Sequence, residues 1–557
     1  MNQIIHKNKN LLFYGILFTF FIFQVRYISL GGTTYDADGL RFGSNIVLEK
    51  IQRILNFNTN FSDLPFTNVE YYGMIVILPA YIFSQTLIRL INDPNFFGYE
   101  SLDGIVYFLM NFYLIVYVCV CLLLIYKKLE KNLNWETSLS FLVLLIMTPS
   151  FNGHSLFNHK DIPYMMQLFL FAVFFQEFIE KYKSRELIEN TFVYKLGLLM
   201  GLILSVRINA IFFASLIIFI GYTYLIVASR VSHFEILKIF LRIYIIGFIV
   251  LYILTPSAWL EPINWLSKAL SIQFDHNWSG STLTNGEFVI AEEMNRTYLL
   301  NWFFYKLPLI FHASFLCYIY IKLKKIKLNL LTELSFTFIA LTFITFSIIR
   351  PGVYDGLRQF LFLIPFFTIF ATDVILTIVK LNKINSKYIL FIIFLYLSFS
   401  QFGLGPYKYA YFNELTDIDE IAIECNNVDG CGNWPTDYWG YSGKEIAEFI
   451  NSELLTEEFS YRSDFAWRGN STSILFCRPN VTTYPYLDKN LNFNRLTVGD
   501  YSRSTLFVVT YHRPRYQDDS CMFSVNNVEY DCREVESFTR KIRFSVIKLA
   551  SIKECKI

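Results

Sequence analysis

The chain has 557 residues, of which 54% are hydrophobic and only 17% charged. Ordinary soluble domains carry roughly 25% charged residues, and an aromatic share of 18%, led by 58 Phe and 37 Tyr, suits helices in lipid anchored at its edges; a soluble enzyme does not fit. The balance of 48 basic against 46 acidic residues, +2 overall, offers no clustered cationic groove of the kind nucleic acid requires.

In chain order, the first apolar run, 11–29, follows His6, Lys7 and Lys9 and closes without a small-residue cleavage site. It reads as a retained anchor with a cytoplasmic N-terminus. Further runs that suit a ~30 Å hydrocarbon core, about 20 residues each, fall at 104–126, 135–150, 161–179, 192–206, 208–228, 236–255, 300–322, 332–349, 357–379 and 387–403, giving about 11 spans. The run 72–92 reads as an interfacial or re-entrant element. That choice places the charged connectors 127–131, 180–185, 230–238, 322–327 and 380–387 in the cytoplasm, as the positive-inside rule asks. The opposite face then collects loops 30–103, 150–161 and 256–299, the turn 350–357, and the tail 404–557.

The tail changes composition. Asp437–Asn451 reads as a turn and an amphipathic helix, and Ser473–Cys477 and Thr505–Tyr511 read as strands. Cys119, Cys121 and Cys317 lie in apolar runs, whereas Cys425, Cys431, Cys477, Cys521, Cys532 and Cys555 all follow residue 403. This even set matches no compact zinc spacing and points to disulfides on an oxidising, non-cytosolic side. The expected architecture is an α-helical polytopic membrane domain, 1–403, followed by a small extracytoplasmic α/β domain, 404–557.

Polar residues cluster on the outer face. Asp36 and Asp38, just beyond the first span, can serve as a general base on a hydroxyl or as turn and cap residues. Between the third and fourth runs stand His154, Asn158, His159, Lys160 and Asp161, and Asp161, two residues before Pro163, is expected to cap the next helix. His154 and His159 lack a third metal ligand at a set spacing. Lys160 either meets a phosphate or snorkels to the interface. Arg207 interrupts apolar sequence, where an unpaired guanidinium costs at least ~2.5 kcal/mol; its partner is either a phosphate or a carboxylate such as Asp161. Arg350 and Arg358 flank a turn containing Tyr354 and Asp355, and arginine suits forked phosphate contacts. Acids and cations on one membrane face suggest an anionic, lipid-linked substrate.

The run Gly153-His-Ser-Leu-Phe-Asn-His-Lys-Asp-Ile-Pro163 resembles a signature of the C-type superfamily of polyprenyl-phosphate-sugar-dependent glycosyltransferases, relatives of protein O-mannosyltransferases and of the lipid A aminoarabinose transferase. Asp36 to Gly43, Val206 to Ala210, Tyr354 to Phe360, Tyr411 to Glu414 and Asp437 to Gly440 resemble further motifs of that family in the same order. Two positions depart from it: Ala37 follows Asp36 where the family shows Asp-Glu, and Gln359 replaces a histidine.

The resemblance implies transfer of a monosaccharide from a polyprenyl phosphate to an acceptor lipid, glycan or protein at the outer face, with inversion. It implies Asp36 or Asp38 as base, Lys160, Arg207 and Arg358 as ligands of the departing lipid phosphate, and Asp161 as an orienting group. His154, Asn158, Tyr354 and Asp355 would line the pocket, and element 72–92 would shape the lipid entrance. No cofactor is firmly implied, although a divalent metal stays open. The expected setting is a plasma, inner or endoplasmic reticulum membrane. A lipid flippase or transporter, or an inactive scaffold of the same fold, is the alternative.

Overall fold

The computed structural model describes residues 9–61, 63–65, 67–72, 74–91, 102–228, 232–274, 281–417, 421, 433–454, 460–463, 466–468, 472–476, 482–486, 505–511 and 531–556. Most are helical. The helices are α1 Lys9–Leu30, α2 Tyr35–Leu55, α3 Ile77–Ile91, α4 Leu102–Asn132, α5 Trp135–Met147, α6 Pro149–His154, α7 Asp161–Lys183, α8 Asn190–Leu204, α9 Ala210–Ala228 and α10 His233–Leu254. They are followed by α11 Pro262–Phe274, α12 Tyr298–Lys306, α13 Leu309–Leu323, α14 Leu330–Ile349, α15 Ile364–Leu381, α16 Ser386–Ser400 and α17 Gly443–Phe449.

Seven of the described helical stretches are long and apolar enough to cross a membrane: α1, α4, α7, α9, α10, α14, and α15 together with the 3-10 turn Arg358–Leu363 that leads into it. An eighth is obtained if α12 and α13, bent by 108°, count as one broken span. Of the 11 runs expected to span, the remaining three hold shorter apolar helices. Run 135–150 yields only the 13-residue α5, and runs 192–206 and 387–403 yield the 15-residue α8 and α16. Proline explains two of the breaks, because a residue preceding proline is pushed out of the helical region. Thr148 before Pro149 (φ −70°, ψ 118°) ends α5, and Leu307 before Pro308 (φ −83°, ψ 135°) divides run 300–322. The ambiguous run 72–92 contains α3, also shorter than a span.

Burial orders the bundle. In α7, 94% of the most apolar window is buried, against 28% in α10; a helix apolar on every side belongs in the interior or against lipid. Phe171, Phe175 and Phe178 of α7 stack on one another and reach Phe240 of α10. The pair α8 and α10 packs closely because Gly197 and Gly201 leave room. A Cβ on Gly201 would lie 2.4 Å from Val250 Cβ, and one on Gly197 would lie 2.6 Å from Ile246 Cβ, the small-residue spacing that brings membrane helices together.

The two ends of the bundle differ in character. At one end Lys9 pairs with Glu130 at 2.5 Å, and Glu177 gathers Lys128, Lys131 and Lys181. The other end holds the C-terminus of α1 and the N-terminus of α7, and there a mixed cluster of acids and bases assembles.

Toward the C-terminus a six-stranded sheet runs in the order β3 (Ser460–Ser463), β4 (Ala466–Arg468), β5 (Thr472–Phe476), β6 (Thr505–Tyr511), β8 (Ser545–Lys556), β7 (Asp531–Ile542). Its β5–β6 pair is parallel and the others antiparallel. A separate hairpin joins β1 (Ser281–Thr284) to β2 (Glu287–Ile290). Ile446, Ala447 and Ile450 of the α17 segment pack with Ile474, Val509 and Ile552 of the sheet and with Ile105 and Leu109 of α4. Strand β6 covers the expected 505–511, and β5 lies one residue before the expected 473–477. Cys425, Cys431, Cys477 and Cys521 lie outside the described residues; Cys119, Cys121 and Cys317 are free thiols.

Candidate functional site

The site begins where α1 stops. Gly32 N–H donates to Tyr441 O at 3.0 Å and Tyr35 N–H to Trp439 O at 3.1 Å, so the tail fixes the turn into α2 and sets Asp36 in its first turn. Asp36 Oδ2 accepts from Lys160 Nζ at 2.8 Å and from Arg358 Nη2 at 2.6 Å. Asp38 lies two residues on, about 200° around a 3.6-residue helix, and joins a different network. Tyr107 Oη donates to Asp38 Oδ1 at 3.0 Å, and Arg41 bridges Asp38 at 3.3 Å and Asp103 at 2.5 Å. Of the two candidate bases, only Asp36 touches Lys160 and Arg358.

The turn between α6 and α7 corrects one expectation. Asp161 is not the cap of its helix. Asn158 Oδ1 accepts the backbone N–H groups of Asp161 at 2.9 Å and Lys160 at 3.3 Å, while Asn158 Nδ2 donates to Asp161 Oδ2 at 2.9 Å. With the asparagine satisfying those orphan donors, the Asp161 carboxylate turns to Arg207, whose Nη2 pairs with Asp161 Oδ1. Arg358 Nε stands 3.9 Å from Asp161 Oδ2. Arg207 thus has the internal carboxylate as its partner in this structure. The Nε atoms of Arg207 and Arg358 are buried without a hydrogen-bond acceptor.

The turn before Arg358 places Asp355 (φ 59°) and Gly356 (φ 71°) in the left-handed region. Asparagine, aspartate and glycine tolerate that conformation best. Gly356 N–H donates to Tyr298 Oη at 2.9 Å, and Arg358 Nη1 donates to Asp355 Oδ2 at 3.2 Å. The Arg358 guanidinium lies 4.3 Å from the Trp439 ring centre and 5.5 Å from that of Tyr354, distances at which a cation is drawn to an aromatic face. Arg350, expected to join Arg358 as a second cationic pair, instead caps α14 in the left-handed conformation and is exposed. Three cations, Lys160, Arg207 and Arg358, therefore balance three acids, Asp36, Asp161 and Asp355, at one end of the bundle.

Burial decides the remaining protonation states. The Asn158 amide meets His154 Nδ1 at 3.4 Å, which leaves Nε2 to carry the proton toward Tyr438 Oη at 3.0 Å. Burial, with Lys306 and Arg358 nearby, holds the His154 imidazole well below its ordinary pKa, and it stays neutral. His159 lies between Phe157 O at 2.8 Å and Met110 O at 3.0 Å, and burial lowers its pKa as well. Its partners are backbone carbonyls. Burial also lowers the Lys160 pKa; Asp36 opposes the shift, while Arg358 and Arg207 add to it. Among the described residues, no group of three or more His, Cys, Asp or Glu is placed to hold a metal ion.

Sequence reading missed three aromatic contributors. Tyr72 places its ring 5.1 Å from Lys160 Nζ. Trp439 and Tyr438 come from the tail and were legible only as a motif, with no hint that they cover Arg358 and His154. The close approach that brings the tail's leading segment to α6 depends on Gly153, where a Cβ would lie 2.3 Å from Tyr409 N. No protein-family model matches this chain, and no curated protein matches it.

Proposed function

We propose that this membrane protein transfers a monosaccharide from a polyprenyl phosphate to an acceptor hydroxyl, in the manner of the C-type glycosyltransferases whose motifs it resembles. The observation that carries the reading is Asp36 held between Lys160 and Arg358, with Arg207 and Asp161 adjoining. A carboxylate oxygen already accepting from two cations is a poor proton acceptor. An incoming lipid phosphate competes for the same Lys160 and Arg358 donors, and its arrival releases Asp36 toward the acceptor.

The acceptor oxygen then attacks the anomeric carbon, its proton passes to Asp36, and the bond from that carbon to the phosphate oxygen breaks with inversion. The lipid phosphate leaves on Lys160, Arg207 and Arg358; losing one such preorganised donor typically costs 10²–10³ in rate. Tyr354 and Asp355 brace Arg358, Asn158 holds the turn that carries Lys160 and Asp161, His154 ties that turn to Tyr438, and Trp439 covers Arg358. The site is proposed to open on the extracytoplasmic side, with the tail, because Lys9, Lys128, Lys131 and Lys181 mark the other end of the bundle. The acceptor class and any assisting divalent metal are left to assay.

The test is incubation of purified protein with radiolabelled polyprenyl-phosphate sugars and membrane extract. Label moving to an acceptor, with release of polyprenyl phosphate, supports the reading. Donor lipid carried intact across a vesicle bilayer would indicate a flippase, and neither result would indicate a scaffold.

A further inference from the structure

A cavity of about 1230 Å³ lies along α1, away from the acid and base cluster. Its walls are apolar from Leu11 through Phe20 to Tyr27 on one side and include Val143, Phe394 and Phe402 on the other. The sixteen rises of 1.5 Å from Leu11 to Tyr27 make it roughly 24 Å long, most of a ~30 Å hydrocarbon core. Phe23 and Phe402 on its rim are 56% and 72% exposed, so it opens sideways to whatever surrounds the helices. None of Asp36, Lys160, Arg207 and Arg358 lines it.

One end is polar. Lys408 Nζ donates to Asn152 Oδ1 at 3.1 Å and stands 4.9 Å from the Tyr27 ring centre. No described carboxylate pairs with it, and burial brings its pKa down to about 8. Gln24 Nε2 shares the same Asn152 oxygen at 3.2 Å, and Gln401, also in the wall, donates to Met147 O. A lysine in such a place lacks a counter-ion, and an anion would supply it.

We propose that this groove is a binding site for one anionic phospholipid, its phosphate on Lys408 and its chains along α1. Charge and polarity favour a lipid: one cation stands at one end and apolar side chains line most of the rest, the division that an anionic headgroup and its acyl chains require. The site is independent of the proposed sugar transfer and stands or falls separately.

The experiment is native mass spectrometry of the full chain from detergent with equimolar dioleoyl phosphatidylglycerol and dioleoyl phosphatidylcholine. The wild type is expected to retain the anionic lipid by about fivefold over the zwitterionic one, the ratio one partly buried charge contact provides. Lys408→Gln should abolish that preference and Lys408→Arg should keep it. Gly15 also lines the groove, and a Cβ there meets nothing within 4 Å; Gly15→Phe should narrow the groove without disturbing the fold and lower the retention of both lipids. Equal retention of the two lipids by the wild type, a preference surviving in Lys408→Gln, or undiminished binding in Gly15→Phe would each overturn the proposal.

Discussion

Asp36 Oδ2 receives Lys160 Nζ and Arg358 Nη2 at once, partners 124 and 322 residues away in sequence. Both cations hold one oxygen, so the carboxylate joins the first loop, the α7 turn and the start of the last long span candidate. The same two donors are the ones an anionic substrate would take.

This relationship separates Asp36 from Asp38. Asp36→Asn is expected to lower sugar transfer by about 10²–10⁴, the usual worth of a general base, while binding of the donor lipid persists. Asp38→Asn should retain turnover within a few-fold, because its partners are Tyr107 and Arg41. Steady-state rates and equilibrium binding of donor lipid on both variants decide it; the reverse pattern would shift the base by two positions.

Arg207 and Asp161 form a buried pair, their side chains 10% and 3% exposed. Removing one partner of such a pair costs about 3–5 kcal/mol, because the other is left buried and uncompensated. Arg207→Met and Asp161→Asn alone should each lower the midpoint of thermal unfolding in detergent. The double variant should recover part of the loss, and it should still bind polyprenyl phosphate more weakly than the wild type. Additive losses in the double variant would show that the two side chains do not interact.

His154 fixes the sign of one pH effect. An unfolded histidine titrates near 6.5, whereas the buried imidazole titrates well below that. Below about pH 6.5 the unfolded chain binds the extra proton and the folded protein does not, so stability present above that pH is lost as pH falls. His159 acts in the same direction. Unfolding midpoints measured from pH 7.5 to 5 should therefore fall with acid, and His154→Gln should flatten part of the slope. A slope unchanged in that variant would remove His154 from the account.

The α8–α10 contact rests on missing side chains. Gly201→Leu places atoms where Val250 already stands, and overpacking of this kind typically costs 1–3 kcal/mol. A lowered thermal midpoint, with Gly15→Phe unaffected as the control, is the expected result.

The tail cysteines are expected to be oxidised. Cys532 and Cys555 are opposed in the β7–β8 register, the placement from which a cross-strand bridge can form. Alkylation of denatured, unreduced protein should label Cys119, Cys121 and Cys317 and leave Cys555 unlabelled until reduction. Prompt labelling of Cys555 would argue for free thiols in the tail.

Periodicity and apolar run length were enough to locate helices such as α1, α4, α7 and α10, and β-former clustering located β5 and β6. Run length did not show the breaks inside 135–150 and 300–322, where Thr148-Pro149 and Leu307-Pro308 cut the helix inside sequence that remains apolar. The long hairpin of β7 and β8 was missed because charged residues such as Glu534, Glu536, Lys548 and Lys553 break up the apolar pattern that signals a strand. In the site, the residue types were legible one loop at a time, but Asn158 took the capping role expected of Asp161, a choice made by backbone geometry within the turn.

By itself the sequence determined that the chain is predominantly helical and apolar, and it singled out Asp36, Asp38, Lys160, Asp161, Arg207 and Arg358 as candidates for chemistry at the ends of apolar runs. Composition and local spacing act over one helix or one turn, and they suffice for that much. Only the tertiary structure set Asp36, and not Asp38, against Lys160 and Arg358, gave Arg207 to Asp161, separated Arg350 from the cluster and laid Trp439 over Arg358. Each of those outcomes depends on which direction a side chain leaves its helix and on what a segment hundreds of residues away brings within about 3–4 Å.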